Sequence, residues 1–299
     1  MIAVALLRRF IGTCAVLLAV LTAIFAMLRA VPGGPFDCER ELPREAQAVI
    51  RANYDPQLPL MRQYIQYISR ILHGDLGPSY RHCGWSVNEL LFRALPVSFE
   101  LGAYAMLLAI STGILWGCRA SRKPFCGSDA ASTFLICIPT FVLGPVLGHI
   151  FAHKLHWFNA MGWCGWKSKI LPTITLAAPH AAFVARLTRR SMLAEYARPY
   201  VRTAHAKGLR EVQVFWRHIF LNGMQPVIAY LGPTCAAVLS GTFVAESVFH
   251  IPGMGKLFIE SIGNRDYTLI TGIVLVYAIL IVLCNFIADS LLLWIAPRR

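Results

Sequence analysis

The stretch ILPTITLAAPHAAFVA, residues 170–185, carries no charge and is interrupted by Pro172 and Pro179. Its 16 residues fall short of the roughly 20 that a helix rising about 1.5 Å per residue needs to cross a hydrocarbon core of about 30 Å. Length alone would allow a buried or re-entrant segment. The flanking charge decides the reading. Arg186 to Arg217 hold eight Lys and Arg residues, the densest basic block in the chain, and cytoplasmic loops collect such residues. Reading 170–185 as a span places that block on the same side as Arg8–Arg9, Arg119, Arg122, Lys123 and Arg298–Arg299, so that 15 of the 28 basic residues lie inside. Without this span, the block and the C-terminus would fall outside.

Five further uncharged stretches read as spans: Phe10–Leu28, Leu101–Cys118, Ala130–Gly148, Pro226–Ala245 and Leu269–Ala288, each 18 to 20 residues long. The expectation is an all-α polytopic membrane protein with six transmembrane helices and cytoplasmic N- and C-termini. Composition agrees, with 57% hydrophobic and 14% charged residues and a mean hydropathy of +0.56. Soluble domains have about 45–50% and about 25%, so a soluble enzyme and a disordered chain are excluded. The net charge of +13 first suggests nucleic acid. Its distribution by membrane side points instead to orientation and anionic headgroups, and no nucleic-acid partner is expected. The Phe10–Leu28 core is longer than the ~7–15 residues of a signal peptide. Arg29-Ala30-Val31-Pro32 is not a small-residue cleavage site, so an uncleaved first span is expected.

Lacking repeats or polar linkers, residues 1–299 read as a single membrane domain: first span 10–28, structured external segment 32–95, and five-span core 96–299. In the external segment, Pro43–Asn53 and Pro59–Leu72 read as short helices and Gly74–Pro78 as a turn. Ser86-Val87-Asn88-Glu89 has capping-box spacing. This cap would rest on the membrane face or meet an external partner. Of nine cysteines, Cys38, Cys83 and Cys164 would face outside. A Cys38–Cys83 bridge is one option in an oxidising compartment, and the odd total gives no disulfide framework.

The cytoplasmic stretch 195–223 has its own pattern. Pro199 suits a first helical turn, Tyr200, Val201 and Ala204 lie on one side, and Gly208 stops the helix. A second helix from about Arg210 to Asn222 places Phe215, Ile219 and Asn222 on a shared face, and Pro226 opens the next span. Two readings stand on pattern alone: docking onto a cytoplasmic partner, or a basic helix lying on anionic lipid.

The run YVRTAHAKGL, residues 200–209, continued by Arg217-His218 and Pro226-Val227, is similar to the coupling loop of bacterial ABC-importer permeases, most of all the peptide/nickel branch. Asp55 to Leu60, Gln63-Tyr64, Gly74-Asp75-Leu76-Gly77 and Ser79 resemble that branch's external segment. So do Gly241 to Glu246, Phe249, Ile251 to Leu257 with Pro252, Gly253 and Gly255, and Arg265-Asp266-Tyr267; Asn285 and Asp289 match its last span. Pro35-Phe36, Glu39-Arg40, Leu42-Pro43 and Gly77-Pro78-Ser79 most resemble the first permease subunit of oligopeptide importers. His205, Gln225 and Ala296 depart from the pattern.

The resemblance implies a type I ABC-importer transmembrane domain in the bacterial cytoplasmic membrane, forming half of a pathway for oligopeptides. Its implied partners are a second homologous permease, two cytoplasmic ABC ATPases and an external substrate-binding lipoprotein or periplasmic protein. Nickel or another small cargo is the alternative within the branch. Tyr200, Arg202, Thr203, Ala204, Lys207, Gly208 and Leu209 would couple to the ATPase, with the small Ala204 and Gly208 allowing close approach to a groove. Glu246, Pro252, Gly253, Gly255, Asp266, Asn285 and Asp289 would be structural.

Rival chemistries have weaker support. Gly253-Met254-Gly255 follows no strand, and no GxxxxGK[ST] motif occurs, so ATP must bind another chain. His149, His153 and His156 would share a helical face, a spacing open to metal, but interfacial histidines are the favoured reading. Glu100 reads as snorkelling to the interface. Ser240 lacks a His or Asp partner and no HExxH motif is present, so no catalytic residue, metal or cofactor is expected. An intramembrane enzyme and an ATP-independent carrier or channel remain as remote alternatives.

Overall fold

A segment in hydrocarbon has no water for its backbone N–H and C=O groups, and a helix satisfies them internally. The computed structural model describes residues 2–30, 59–79, 81–82, 84–122, 128–264 and 266–295, and among these it is helical with no strand. In chain order the helices are α1 (Ile2–Ala30), α2 (Leu60–Leu72), α3 (Val87–Arg122), α4 (Ser128–Cys137) and α5 (Thr140–Leu147), which widens into a π turn over Gly148–Lys154. Then follow α6 (Trp166–Tyr196), α7 (Pro199–Ala206) and α8, which runs from Glu211–Val214 through a π turn at Phe215–Phe220 to Leu221–Gly223. The last three are α9 (Gln225–Val248), α10 (Met254–Gly263) and α11 (Tyr267–Ile295). Cys38, Cys83 and the helix expected at Pro43–Asn53 lie outside the described residues.

Contacts divide the chain into two compact units, residues 3–98 with 252–282 and residues 99–251 with 283–299. The first unit has a core of Val87, Leu91, Ala94, Met254, Leu269 and Ile273, all less than 5% exposed. The expected capping box starts α3: the Ser86 N–H donates to Glu89 Oε2 at 3.1 Å, and the Glu89 N–H donates to Ser86 Oγ at 3.2 Å. Each bond satisfies a donor that a helix N-terminus would leave unpaired.

In the second unit α3 packs closely on α6. Glycines at 113 and 117 lie one helical turn apart and face α6, where a Cβ would stand 2.8 Å from the Ala181 carbonyl oxygen and 2.6 Å from that of Ala185. Small residues at this spacing let helix backbones approach where lipid supplies no hydrophobic drive for association. Glu100 does not simply reach for the interface. It accepts from Lys169 Nζ at 2.5 Å and Trp163 Nε1 at 3.1 Å, tying α3 to the start of α6. Arg189 pairs with Asp129, and Arg186 donates to Thr133 Oγ1 at 2.5 Å, joining α6 to α4.

Five of the six apolar stretches each fall on one helix. Val87–Arg122, Trp166–Tyr196, Gln225–Val248 and Tyr267–Ala288 are long and apolar enough to cross a membrane, and Ile11–Met27 is a shorter apolar helix. The stretch that looked too short, 170–185, belongs to the 31-residue α6, which passes through both prolines. Thr173 and Thr175 hydroxyls donate to the Lys169 and Leu171 carbonyls. The expectation of one continuous helix over Ala130–Gly148 is corrected: α4 and α5 meet at a 98° bend. Pro139 at the break has no N–H to continue the ladder and sits in an extended conformation, ψ 139°.

Candidate functional site

The residues of the 200–209 motif form α7 and its C-terminal stop. Pro199 occupies the first turn, where its missing N–H is not needed. At the other end Gly208 has φ +79°, its N–H donates to the His205 carbonyl at 2.9 Å, and the Leu209 N–H reaches the Ala204 carbonyl at 3.4 Å. This is the Schellman closure, whose left-handed residue is least strained as glycine. The Arg210 N–H then donates to Gln213 Oε1 at 3.3 Å, starting α8.

One face of this helix pair is buried in the chain's own core. Val201 and Ala204 of α7, Val214, Phe215 and Ile219 of α8, and Met192 of α6 form a cluster, flanked by Cys118, Tyr196, Phe220 and Met224. The guanidinium of Arg122, at the end of α3, lies 3.7 Å over the Phe215 ring, a cation–π contact. Tyr200 braces the edge: its hydroxyl donates to the Glu195 carboxylate and accepts from Asn222 Nδ2 at 3.2 Å. Partial burial, then the bond to Glu195, hold that hydroxyl's pKa above the usual tyrosine range.

The opposite face is open. Arg202, Thr203, His205, Ala206, Lys207, Gly208, Leu209 and Arg210 are all exposed, giving a strip with three fixed positive charges on a rigid support. Ala204 departs from the sequence expectation. It is 5% exposed, so its small side chain serves packing within this chain and does not face a partner's groove. Of the three residues expected on one face of α8, Phe215 and Ile219 are buried and Asn222 is exposed. Arg122, Met192 and Glu195 did not emerge from the motif, and only the apolar spacing of Phe215 and Ile219 signalled that something covers them.

The second set of motif residues is dispersed. Glu246 is fully buried near the end of α9, and its backbone carbonyl accepts from the Ile251 N–H at 2.8 Å. Pro252 is exposed, whereas Gly253 and Gly255 are buried at the start of α10, where the Met254 N–H donates to Ser98 Oγ at 2.8 Å. Asp266, 1% exposed, is a hydrogen-bond hub. Its Oδ2 accepts from Ser79 Oγ at 2.5 Å and the Arg81 N–H at 3.3 Å. Its Oδ1 accepts from Thr268 Oγ1 at 3.0 Å and the Leu269 N–H at 3.2 Å. Thus two motifs 187 residues apart, the turn before α3 and the start of α11, are halves of one bonded unit. Asn285 borders Gly232 of α9, where a Cβ would stand 3.2 Å from Asn285 Oδ1. The Asp289 side chain lies outside the described residues.

The three histidines do not share a face. His149 and His153 have ring centroids 6.3 Å apart on the π turn, while His156 lies beyond it with φ +53°. No group of three potential metal ligands occurs among the described residues.

Long apolar helices with a basic, glycine-stopped helix pair inserted between α6 and α9 define the class: a transmembrane domain of the ABC-importer type. The fold is similar to that of a chain of the inward-facing MetNI methionine ABC transporter (TM-score 0.55, 17% identity, 69% of this chain and 96% of that one). An amino acid ABC transporter matches comparably (TM-score 0.54, 14% identity, 67% and 92%). Residues 109–299 match the family described as binding-protein-dependent transport system inner membrane component, and residues 1–96 match its N-terminal region. The chain belongs to this family of bacterial inner-membrane proteins, in its dipeptide/oligopeptide permease branch. It is 38% identical to the dipeptide transport system permease protein DppB of Bacillus subtilis (strain 168), over 98% of this chain and 96% of that protein. It is also 38% identical to the oligopeptide transport system permease protein OppB of Escherichia coli (strain K12), over 98% of each.

Proposed function

We propose that this chain is a permease subunit of an ATP-driven importer of short peptides. It forms half of the transmembrane pathway with a second, homologous permease, crosses the membrane six times and keeps both termini in the cytoplasm. An external binding protein delivers the peptide, and two cytoplasmic ATPases drive transport. The chain is not itself an enzyme.

The observation that carries the mechanism is the two-faced geometry of α7. Its outward strip, with Arg202, Lys207 and Arg210, suits a groove bearing acidic residues on an ATPase. Its inward face is fixed to the end of α6 through Met192 and to the end of α3 through Arg122 and Phe215. A push on α7 therefore reaches α6, which at 31 residues is about 46 Å long. Rigid-body displacement of such packed helices is how large conformational switches propagate. Tyr200 holds the angle of α7, Thr203 and Leu209 complete the outward surface, and Gly208 sets the turn.

The test is reconstitution of the purified complex in vesicles with a labelled tripeptide and its binding protein. Uptake should require ATP inside, and the Arg202→Glu and Lys207→Glu double variant should lose the ATPases on purification while the permease pair persists. Uptake by this chain alone without ATP would refute the proposal.

A further inference from the structure

Helix α2 has the sequence LMRQYIQYISRIL, contains no acidic residue and has no fully buried residue. At 100° per residue its side chains fall into three arcs. Tyr64, Tyr67 and Ile71 share the first. Tyr64 and Tyr67 lie against α1, with ring centroids 5.1 and 5.6 Å from Phe25 and the Tyr64 hydroxyl 2.6 Å from Thr22 Oγ1. A quarter turn away lies a stripe of Met61, Ile65, Ile68 and Leu72, in which Met61, Ile65 and Leu72 are 70%, 59% and 80% exposed. Arg62, Gln63, Gln66, Ser69 and Arg70 occupy the remaining polar arc.

We propose that α2 is an interfacial helix whose Met61–Ile65–Ile68–Leu72 stripe lies in the acyl-chain layer of the bilayer, beside the Thr22–Met27 end of α1. Three observations converge on lipid as the occupant. The first is depth: Thr22 lies six residues inside the end of the Phe10–Leu28 stretch, about 9 Å along the helix, within the ~5–10 Å at which amphipathic helices sit. The Tyr64–Thr22 bond holds α2 at that level. The second is direction, because a helix lying flat against an upright one must present its membrane face a quarter turn from their contact, where the stripe is. The third is continuity. On α1 itself Ile11, Val16, Leu18 and Met27 are 51–66% exposed, so the same apolar solvent covers both surfaces. Arg62 lies next to the stripe on the polar arc, where a long cationic side chain reaches lipid phosphates. The inference goes beyond the transport reading and requires only that α1 cross the bilayer.

The test places the photoreactive residue benzoylphenylalanine in the full chain, assembled with its partners in vesicles of phosphatidylethanolamine and phosphatidylglycerol. Separate variants carry it at Ile65, Leu72, Gln66 and Leu18, with Met61 as a further stripe position should either of the first two fail to fold. After illumination, mass spectrometry should find phospholipid adducts at the stripe positions and at Leu18, and none at Gln66. A polypeptide adduct at the stripe, whether to the binding protein, another permease or this chain's residues 31–58, overturns the proposal. Lipid adducts at Leu18 but not at the stripe overturn it equally. Absence of lipid adducts at Leu18 as well removes α1 from the bilayer, and the inference falls with it, while peptide uptake by the same complex reports separately on the transport reading.

Discussion

Replacing Gly117 by Ala adds one methyl group at the closest approach of α3 to α6. The new Cβ would stand 2.6 Å from both the Ala185 carbonyl oxygen and Thr188 Cβ, where ordinary contact begins near 3.4 Å, an overlap of about 0.8 Å. Because one of those atoms is backbone, no side-chain rotation relieves the clash and the helices must separate. Overpacking of this kind costs about 1–3 kcal/mol. Against it stands the helix-propensity gain of Gly→Ala, about 1 kcal/mol. Gly12 on α1 separates the two terms, since a Cβ there meets nothing within 4 Å. Gly12→Ala should be neutral or stabilising, and the difference between the variants isolates packing because propensity cancels. Thermal unfolding of the detergent-solubilised protein, followed by tryptophan fluorescence, should put Gly117→Ala below Gly12→Ala by several degrees, at about 2–4 °C per kcal/mol. The double variant with Gly113→Ala should cost less than the sum of its parts, because one displacement of α3 relieves both sites. A Gly117→Ala protein as stable as Gly12→Ala would refute the close approach.

Two further perturbations probe the motif residues. Asp266→Asn keeps the shape but turns an amide NH2 toward two of the four donors around Asp266, so about 2–3 kcal/mol of stability should be lost. Faster proteolysis of residues 79–86 together with a lower melting temperature would register it, and an unchanged protein would remove the hub's importance. Arg122→Ala removes the cation over Phe215, a contact worth about 0.5–2 kcal/mol. In the reconstituted complex ATP hydrolysis should continue while peptide transported per ATP falls, and equal loss of both activities would argue against a coupling role for this contact.

Much of the fold was legible because its determinants are local. Apolar run length placed every long helix, Ser86 and Glu89 announced the start of α3 three residues apart, and Pro199 with Gly208 bounded α7 by backbone chemistry alone. The bend between α4 and α5 was visible only as Pro139 in an otherwise apolar run. A single proline does not distinguish a tolerated kink, as at Pro172 and Pro179 in α6, from a break; neighbouring packing does.

What the sequence by itself determined is the class of molecule: hydrophobicity fixed the solvent, and the coupling motif supplied the family. Only the tertiary structure decided which face of each element does what. A helix as short as α7 has no inside until something covers it, and it is Met192, Phe215 and Ile219 that bury Ala204 and leave Arg202 and Lys207 outward. The pairing of Ser79 with Asp266 and of Arg122 with Phe215 joins residues 187 and 93 positions apart. No periodicity or propensity reaches that far; these contacts exist because the packed helices bring them together.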